Sequence, residues 1–295
     1  MSWSIVLELI GLAPMLILVA IVLWKKRQLD REDRRDPILT ELRLLPADSL
    51  RKRQDKIIEA RLDKLVYVMI VGLLTALFVS SRRIDMAAHS WDSVDTFFVV
   101  AAIAVALYFG RQITRDMPLQ RKYKQGIRAE QAVAQELAAA LAGDNRIIHD
   151  IQAGEFNIDH VVITPVGVFA VETKSRLKPP AGNGSPKVKY DGRQLEFPGW
   201  TETKPIEQAA RQAKWLADYL LKATGDPFPV FAVLALPGWY IDYGVRMTEQ
   251  MVRVINPKNS GWLLLPGKQP IRLDPPAIQR AAFQIEKLAQ AATPE

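Results

Sequence analysis

The fold of the chain is decided by residues 158–174, which read IDHVVITPVGVFAVETK. Val, Ile and Phe dominate two short runs, Ile158–Thr164 and Val168–Lys174, and Pro165-Val166-Gly167 separates them. Residues with β-branched or aromatic side chains favour strands, and a Pro-x-Gly segment favours a turn. The stretch therefore predicts a β-hairpin.

The segments around this hairpin predict an α/β domain over residues 126–295. The expected helices cover 126–141, 206–224 and 276–291, and the expected further strands cover 146–151, 228–236 and 252–256. Residues 175–204 are rich in Pro and Gly, which predicts a long loop or β-arm. The domain has an ordinary size for a single folding unit.

Composition excludes several kinds of site. The 295 residues include no Cys, which rules out disulfides, thiolate zinc sites, iron–sulfur clusters and cysteine nucleophiles. The net charge of +7 is concentrated in residues 111–128, which carry six Lys or Arg against one Asp, whereas residues 129–295 carry 18 of each sign. We interpret 111–125 as a basic juxtamembrane linker, so the overall charge is a poor argument for nucleic-acid binding.

Residues 1–110 predict a membrane region with about three transmembrane helices. The apolar runs cover 5–24, 65–81 and 94–110, and a bilayer core is crossed by about 20 helical residues, within a range of roughly 17–25. The first run could instead be a signal peptide, but basic residues follow it rather than precede it. The other two could form a buried hairpin of a soluble domain, but they are apolar on all faces.

The loops predict the orientation of these helices. The insert 25–64 carries 13 Lys or Arg, whereas the loop 82–93 carries two. Because basic loops stay in the cytoplasm, we expect the N-terminus outside and the C-terminal domain at the cytoplasmic face of an inner or plasma membrane. Within the insert, which is otherwise interpreted as a solvated spacer, Asp48 or Ser49 could cap a helix that continues into the second span.

Three charged residues interrupt the apolar hairpin. Glu172 and Lys174 are two residues apart, so they project from one strand face, and the partner strand can bring Asp159 beside them. Charges in such surroundings are costly unless they are paired or bind a metal. One interpretation is therefore an internal ion pair of Lys174 with Glu172 or Asp159, and the pattern alone leaves this alternative open.

The other interpretation is a catalytic metal site. Converging carboxylates make an oxygen site for Mg²⁺ or Mn²⁺, which polarises a phosphate and lowers the pKa of a bound water. Asp159 and Glu172 would be ligands, and Glu130 would add a third carboxylate directly or through water. Lys174 would orient or deprotonate the water, and Gln208 would hydrogen-bond to the phosphate or the water.

Four motifs occur in order along the chain: Gly126-Ile-Arg-Ala-Glu130, Asn157-Ile-Asp-His-Val-Val162, Gly167-Val-Phe-Ala-Val-Glu-Thr-Lys174 and Pro205-Ile-Glu-Gln208. Together they resemble the nuclease-related domain (NERD) family, which is similar to the PD-(D/E)XK nuclease superfamily. The resemblance covers roughly residues 124–240 and implies a central mixed sheet flanked by helices.

The resemblance also implies roles for particular residues. Asp159, Glu172 and Lys174 match the core catalytic positions, Glu130 matches the helix carboxylate and Gln208 matches the later glutamine. Two departures are mild: Ala129 stands where the family often has glycine, and Asn157-Ile158 replaces the Pro-Asp lead of the superfamily name.

Nucleic-acid contacts are expected just after the Glu-x-Lys strand. A basic run there comprises Arg176, Lys178, Lys187, Lys189 and Arg193. A solvated loop is the default interpretation of such a run, but its position beside the metal site favours phosphate contacts. The default interpretation of the tryptophans here is a place in the core or at an interface, and this applies to Trp200, Trp215, Trp239 and Trp262. Trp200 and Trp239 are the two to test for stacking on single strands.

The two histidines near the hairpin are weaker candidates. His160 alternates to the strand face opposite Asp159, so we expect it to be packed. His149-Asp150 could form a dyad, but no Gly-x-Ser-x-Gly motif supports a serine hydrolase.

The leading hypothesis is a membrane-anchored nuclease that depends on Mg²⁺ or Mn²⁺, with DNA preferred over RNA as the substrate. One alternative is a non-catalytic, membrane-tethered module that binds nucleic acid or supports assembly. Another is a soluble half that docks a partner protein.

Overall fold

The computed structural model describes residues 46–84, 92–139, 145–178, 187–259 and 270–291. The apolar run 5–24 and residues 25–45 of the insert lie outside the described residues. The chain divides into two units: residues 1–41 with 56–119, and residues 42–55 with 120–295. The α/β domain belongs to the second unit.

Two long helices account for the other two apolar runs. Helix α1 spans Asp48–Ile84 and helix α2 spans Ser93–Ala139. The two predicted caps, Asp48 and Ser49, are the first residues of α1 itself, and the Ala47 carbonyl before them accepts the Arg51 N–H. The basic strip 111–125 is therefore helical. Both helices have the length and hydropathy of membrane spans, and only 0% and 6% of their most apolar windows is buried. This exposure does not support the buried hairpin of a soluble domain, and a membrane crossing stays a prediction.

The α/β domain contains nine strands among the described residues. They are β1 (Arg146–Ala153), β2 (Phe156–Thr164), β3 (Gly167–Thr173), β4 (Lys187–Tyr190), β5 (Leu195–Phe197), β6 (Trp200–Glu202), β7 (Val230–Ala235), β8 (Tyr240–Tyr243) and β9 (Arg253–Ile255). Helix α3 covers Lys204–Thr224, a 3₁₀ turn covers Pro257–Asn259 and helix α4 covers Pro275–Ala291. The predicted elements are present, with ends displaced by one or two residues in most cases.

The main sheet is mixed, in the order β1-β2-β3-β7-β9. Strands β1, β2 and β3 pair antiparallel, whereas β7 is parallel to both β3 and β9. The predicted hairpin is thus confirmed as β2–β3. Gly167 is required at its turn, because a Cβ there would lie 2.7 Å from the Phe231 ring and 2.8 Å from the Pro229 carbonyl oxygen.

Helices cover both faces of this sheet. Helices α3 and α4 pack against one face through Leu216, Leu220 and Ile285. The C-terminal part of α2 packs against the other face, where Val133 and Leu137 join the cluster around Phe169 and Val171. An α/β fold with a mixed sheet between helices is therefore confirmed.

A second sheet occupies part of the region predicted to be a loop or β-arm. Its order is β6-β5-β4-β8, and β8 was not predicted. Its core includes the buried Tyr190 and Trp239, and the Tyr190 hydroxyl donates to the Val252 carbonyl across 2.8 Å. Trp239 is fully buried, which confirms the default interpretation as a core residue and excludes it as a stacking platform.

Candidate active site

A pocket of about 320 Å³ lies at the carboxyl end of β3. It is lined by all five residues for which the sequence predicted a catalytic role: Glu130, Asp159, Glu172, Lys174 and Gln208. Helix α2 supplies Glu130, β2 supplies Asp159, β3 and the residue after it supply Glu172 and Lys174, and α3 supplies Gln208. The antiparallel register of β2 and β3, in which His160 pairs with Val171, brings Asp159 beside Glu172.

Glu172 is the most tightly held of these side chains. It is 2% exposed, and Lys174 Nζ donates to its Oε1. Gln212 Nε2 donates to its Oε2 across 2.5 Å and also to the Asn157 carbonyl across 2.8 Å. Both oxygens of the Glu172 carboxylate therefore have a donor, and the predicted pairing of Lys174 with Glu172 is observed.

Gln212 was missed by the sequence reasoning. It lies one helical turn beyond Gln208, and it is buried among the apolar positions of α3. A glutamine on the apolar face of an amphipathic helix is a signal that a polar partner faces it, because buried polar groups are rarely left without hydrogen bonds.

The other two carboxyl groups of the pocket, Asp159 and Glu130, have raised pKa values. Asp159 Oδ2 accepts the Thr173 N–H across 2.6 Å. Burial raises the pKa of Asp159 well above its ordinary value, and the charges of Glu172 and Glu130 raise it further. Burial also raises the pKa of Glu130 to about 8, with added repulsion from Asp150 and Glu172. These shifts favour the neutral forms of Glu130 and Asp159, because full ionisation would place more negative charge in the pocket than Lys174 compensates.

This donor set has the chemistry that a divalent cation requires. Carboxylate oxygens are preferred by Mg²⁺ and Mn²⁺, and mutual repulsion of carboxylates is relieved by a cation between them. Within the described residues, however, no three His, Cys, Asp or Glu side chains stand close enough to hold an ion as they are placed. The Glu172 carboxylate is instead held by Lys174 and Gln212.

The first turn of α1 forms one wall of the pocket, which the sequence did not predict. The Ser49 N–H donates to Asp150 Oδ2 across 2.5 Å, and Asn157 Nδ2 donates to both Asp150 Oδ1 and Ser49 Oγ. Asp150 thus satisfies a backbone donor at the start of α1, as a capping residue does. Arg53, one turn further along, lines the pocket and brings a guanidinium to it.

The two histidines interact with each other rather than with Asp150. His149 and His160 face each other across β1 and β2, with 2.8 Å between their Nδ1 atoms. The considered His149–Asp150 dyad is therefore not formed, and His160 is buried as expected. Burial lowers the pKa of His149 to about 4 and that of His160 well below its ordinary value, so both rings are neutral at pH 7.

The predicted basic run is largely paired with acids. Arg176 donates two hydrogen bonds to Glu202, at 2.7 and 2.6 Å. Lys187 pairs with Asp242 at 2.9 Å, and Lys189 pairs with Glu196 at 3.4 Å. Lys178 and Arg193 are exposed. These residues therefore do not combine into one uncompensated basic surface.

Residues 125–237 match the family model for NERD, the nuclease-related domain. The match covers all five predicted catalytic residues and Gln212, so the resemblance carried by the four motifs is confirmed. Helix α1, β8, β9 and α4 lie outside it. No curated protein and no solved structure matches the chain.

Proposed function

Because the chain contains a nuclease-related domain, we propose that it is a membrane-anchored phosphodiesterase that cleaves nucleic acid at the cytoplasmic face and depends on Mg²⁺ or Mn²⁺. The observation that carries this proposal is the convergence of Glu130, Asp159, Glu172 and Lys174 in one pocket. The raised pKa values of Glu130 and Asp159 support it, because burial and mutual repulsion both disfavour the ionised carboxylates, and a bound cation would offset both effects.

Asp159 and Glu172 would hold the metal, with Glu130 as a third carboxylate. Such an ion, when bound, polarises the phosphodiester and makes water more nucleophilic. Lys174 would exchange its contact with Glu172 for one with the phosphate or the attacking water, where an ammonium stabilises developing negative charge. Gln212 would keep the Glu172 carboxylate in place, and Gln208 would hydrogen-bond to the phosphate or the water.

The test uses the full-length protein in neutral detergent, incubated with single- and double-stranded DNA and RNA in Mg²⁺, Mn²⁺ or EDTA. Glu172→Gln and Asp159→Asn should each reduce cleavage at least about 100-fold, since removing one key electrostatic group typically costs that much. Glu207→Gln is the matched control, because Glu207 is an exposed carboxylate of α3 beside Gln208. Unchanged cleavage in the first two variants, with thermal unfolding intact, would refute the proposal.

A non-catalytic module that binds nucleic acid is the second candidate. The ion pair between Lys174 and Glu172 favours it, because this pair already engages one oxygen of a proposed metal ligand. Binding that is sensitive to salt but indifferent to divalent metal, without cleavage of any substrate, would support this candidate.

A further inference from the structure

A second groove adjoins the candidate active site. It has a volume of about 730 Å³ and shares Thr173 and Lys174 with the first pocket. Helix α2 forms one wall with Lys122 and Gln125, and the segment after β3 forms another with Ser175–Leu177. A molecule in this groove therefore reaches the side chain of Lys174.

An exposed indole closes the groove. Trp200 is 37% exposed and stacks on Phe197, with 4.8 Å between ring centroids and 6° between ring planes. Its Nε1 donates to Glu202 Oε1 across 2.9 Å, and Glu202 is itself held by the two hydrogen bonds from Arg176. The ring is thus fixed in orientation by contacts on one face and at its edge.

The other groups in the groove suit a polyanion. Lys122 on α2 and Lys174 after β3 contribute ammonium groups. Lys174 is paired with Glu172 and Arg176 with Glu202, so a polyanion would compete with these acids for both cations. Leu177 is 75% exposed and adds apolar surface. A fixed aromatic ring combined with cationic side chains is the arrangement by which proteins bind single-stranded nucleic acid, since bases stack on the ring and phosphates contact the cations.

We propose that this groove binds single-stranded nucleic acid, with one base stacked on Trp200 and the backbone led past Lys122 and Lys174 into the active-site pocket. Bases in a duplex are already stacked on each other, so a fixed indole gains a base only from a single strand or from a flipped-out nucleotide. This inference rests on the proposed function and specifies its substrate as single-stranded.

The test measures binding separately from cleavage. Full-length protein in neutral detergent is titrated, in EDTA, into fluorescently labelled oligothymidylate, oligouridylate and a duplex of the same length, and anisotropy is recorded. The two single-stranded probes distinguish DNA from RNA. We expect tighter binding of at least one single-stranded probe than of the duplex.

Trp200→Ala should weaken single-strand binding roughly 5- to 150-fold, the effect of removing one stacking aromatic, and Trp200→Phe should retain most of the affinity. Tyr240→Ala is the matched control, because Tyr240 is an exposed aromatic of β8 that does not line the groove. Lys122→Gln should reduce the slope of log K against log [salt] by about 0.7, the value for one phosphate contact on a single strand.

Preferential binding of the duplex, or equal affinities for Trp200→Ala and wild type, would overturn the assignment. So would equal losses in Trp200→Ala and Tyr240→Ala. Single-strand binding that depends on Trp200, without cleavage in Mg²⁺ or Mn²⁺, would sustain the groove and refute the nuclease. Cleavage of duplex that is unaffected by Trp200→Ala would support the nuclease and refute the assignment of the groove.

Discussion

Gln212 joins α3 to Glu172: its side-chain amide donates to the buried carboxylate across 2.5 Å and to the Asn157 carbonyl of β2 across 2.8 Å. One side chain therefore links the helix to both strands that carry the proposed metal ligands. Together with Lys174, it holds the Glu172 carboxylate in place, so the position of a proposed metal ligand depends on this residue.

Gln212→Leu should destabilise the protein by about 1–3 kcal/mol, because it leaves a buried carboxylate oxygen without its donor. Cleavage should also fall, since Glu172 loses a contact that fixes its position. Gln208→Leu is the comparison, because Gln208 is only half-buried and should affect cleavage more than stability. Chemical unfolding and cleavage rates of both variants check this; equal stability of Gln212→Leu and wild type would contradict it.

Lys174→Met should separate metal binding from catalysis. Without the ammonium, one oxygen of Glu172 is released and repulsion of a divalent cation is removed, which is worth about 1–2 kcal/mol in a water-like dielectric. Calorimetry should therefore show Mg²⁺ or Mn²⁺ binding strengthened roughly 5- to 30-fold, while cleavage is lost. Weaker metal binding in this variant would show that Lys174 supports the site rather than competes for it.

Arg53→Gln should weaken substrate binding, because Arg53 brings a guanidinium into the pocket from the first turns of α1. Charge-assisted contacts with phosphate contribute strongly to affinity, so we expect KM to rise about 10-fold with a smaller change in kcat. Lys56→Gln removes a positive charge from the same helix at a position that does not line the pocket. An equal effect of the two variants would indicate a general electrostatic contribution instead.

Lowering the pH should destabilise the domain, because protonation of the partly buried His149 ring favours the unfolded state. Its pKa is about 4 in the folded protein and about 6.5 when unfolded, so between these values only the unfolded state takes up the proton. The contribution, up to about 3 kcal/mol, is present above pH 6.5 and is lost as the pH falls toward 4.

The carboxyls with raised pKa values act in the opposite direction, because Glu130 binds its proton more readily when folded. The informative quantity is therefore the difference between wild type and His149→Gln in thermal unfolding from pH 7 to pH 4. A stability difference between wild type and His149→Gln that does not change with pH would contradict the lowered pKa of His149.

The absence of Cys allows the membrane orientation to be tested by labelling. Ser93→Cys places one exposed thiol at the start of α2, and Thr201→Cys places one on β6 of the α/β domain. In intact cells a membrane-impermeant maleimide should modify the first and not the second, whereas both should react after permeabilisation. The opposite pattern would reverse the predicted orientation.

Local patterns predicted the hairpin and the meeting of Asp159, Glu172 and Lys174, because alternation, a Pro-x-Gly turn and period-two spacing are local properties. Glu130 and Gln208 were matched to site positions through the family resemblance. Most of the second sheet was predicted only as a loop or β-arm over residues 175–204, since its strands have only three or four residues, too few for a clear alternation. The contact of Ser49 with Asp150 joins residues 101 apart, and no local pattern records it. For Trp239 the sequence left both a core position and a stacking role open, because tertiary packing, rather than residue type, decides whether an indole is exposed.

The separation of these contacts along the chain bears on the order of folding. Asp159 and Thr173, whose hydrogen bond fixes one proposed ligand, are 14 residues apart, whereas the contact of Gln212 with Glu172 spans 40. Local contacts close small loops and form early, and distant ones follow. We therefore expect a refolding intermediate in which the hairpin is formed but the pocket walls from α1 and α3 are still undocked, so that activity returns later than strand structure.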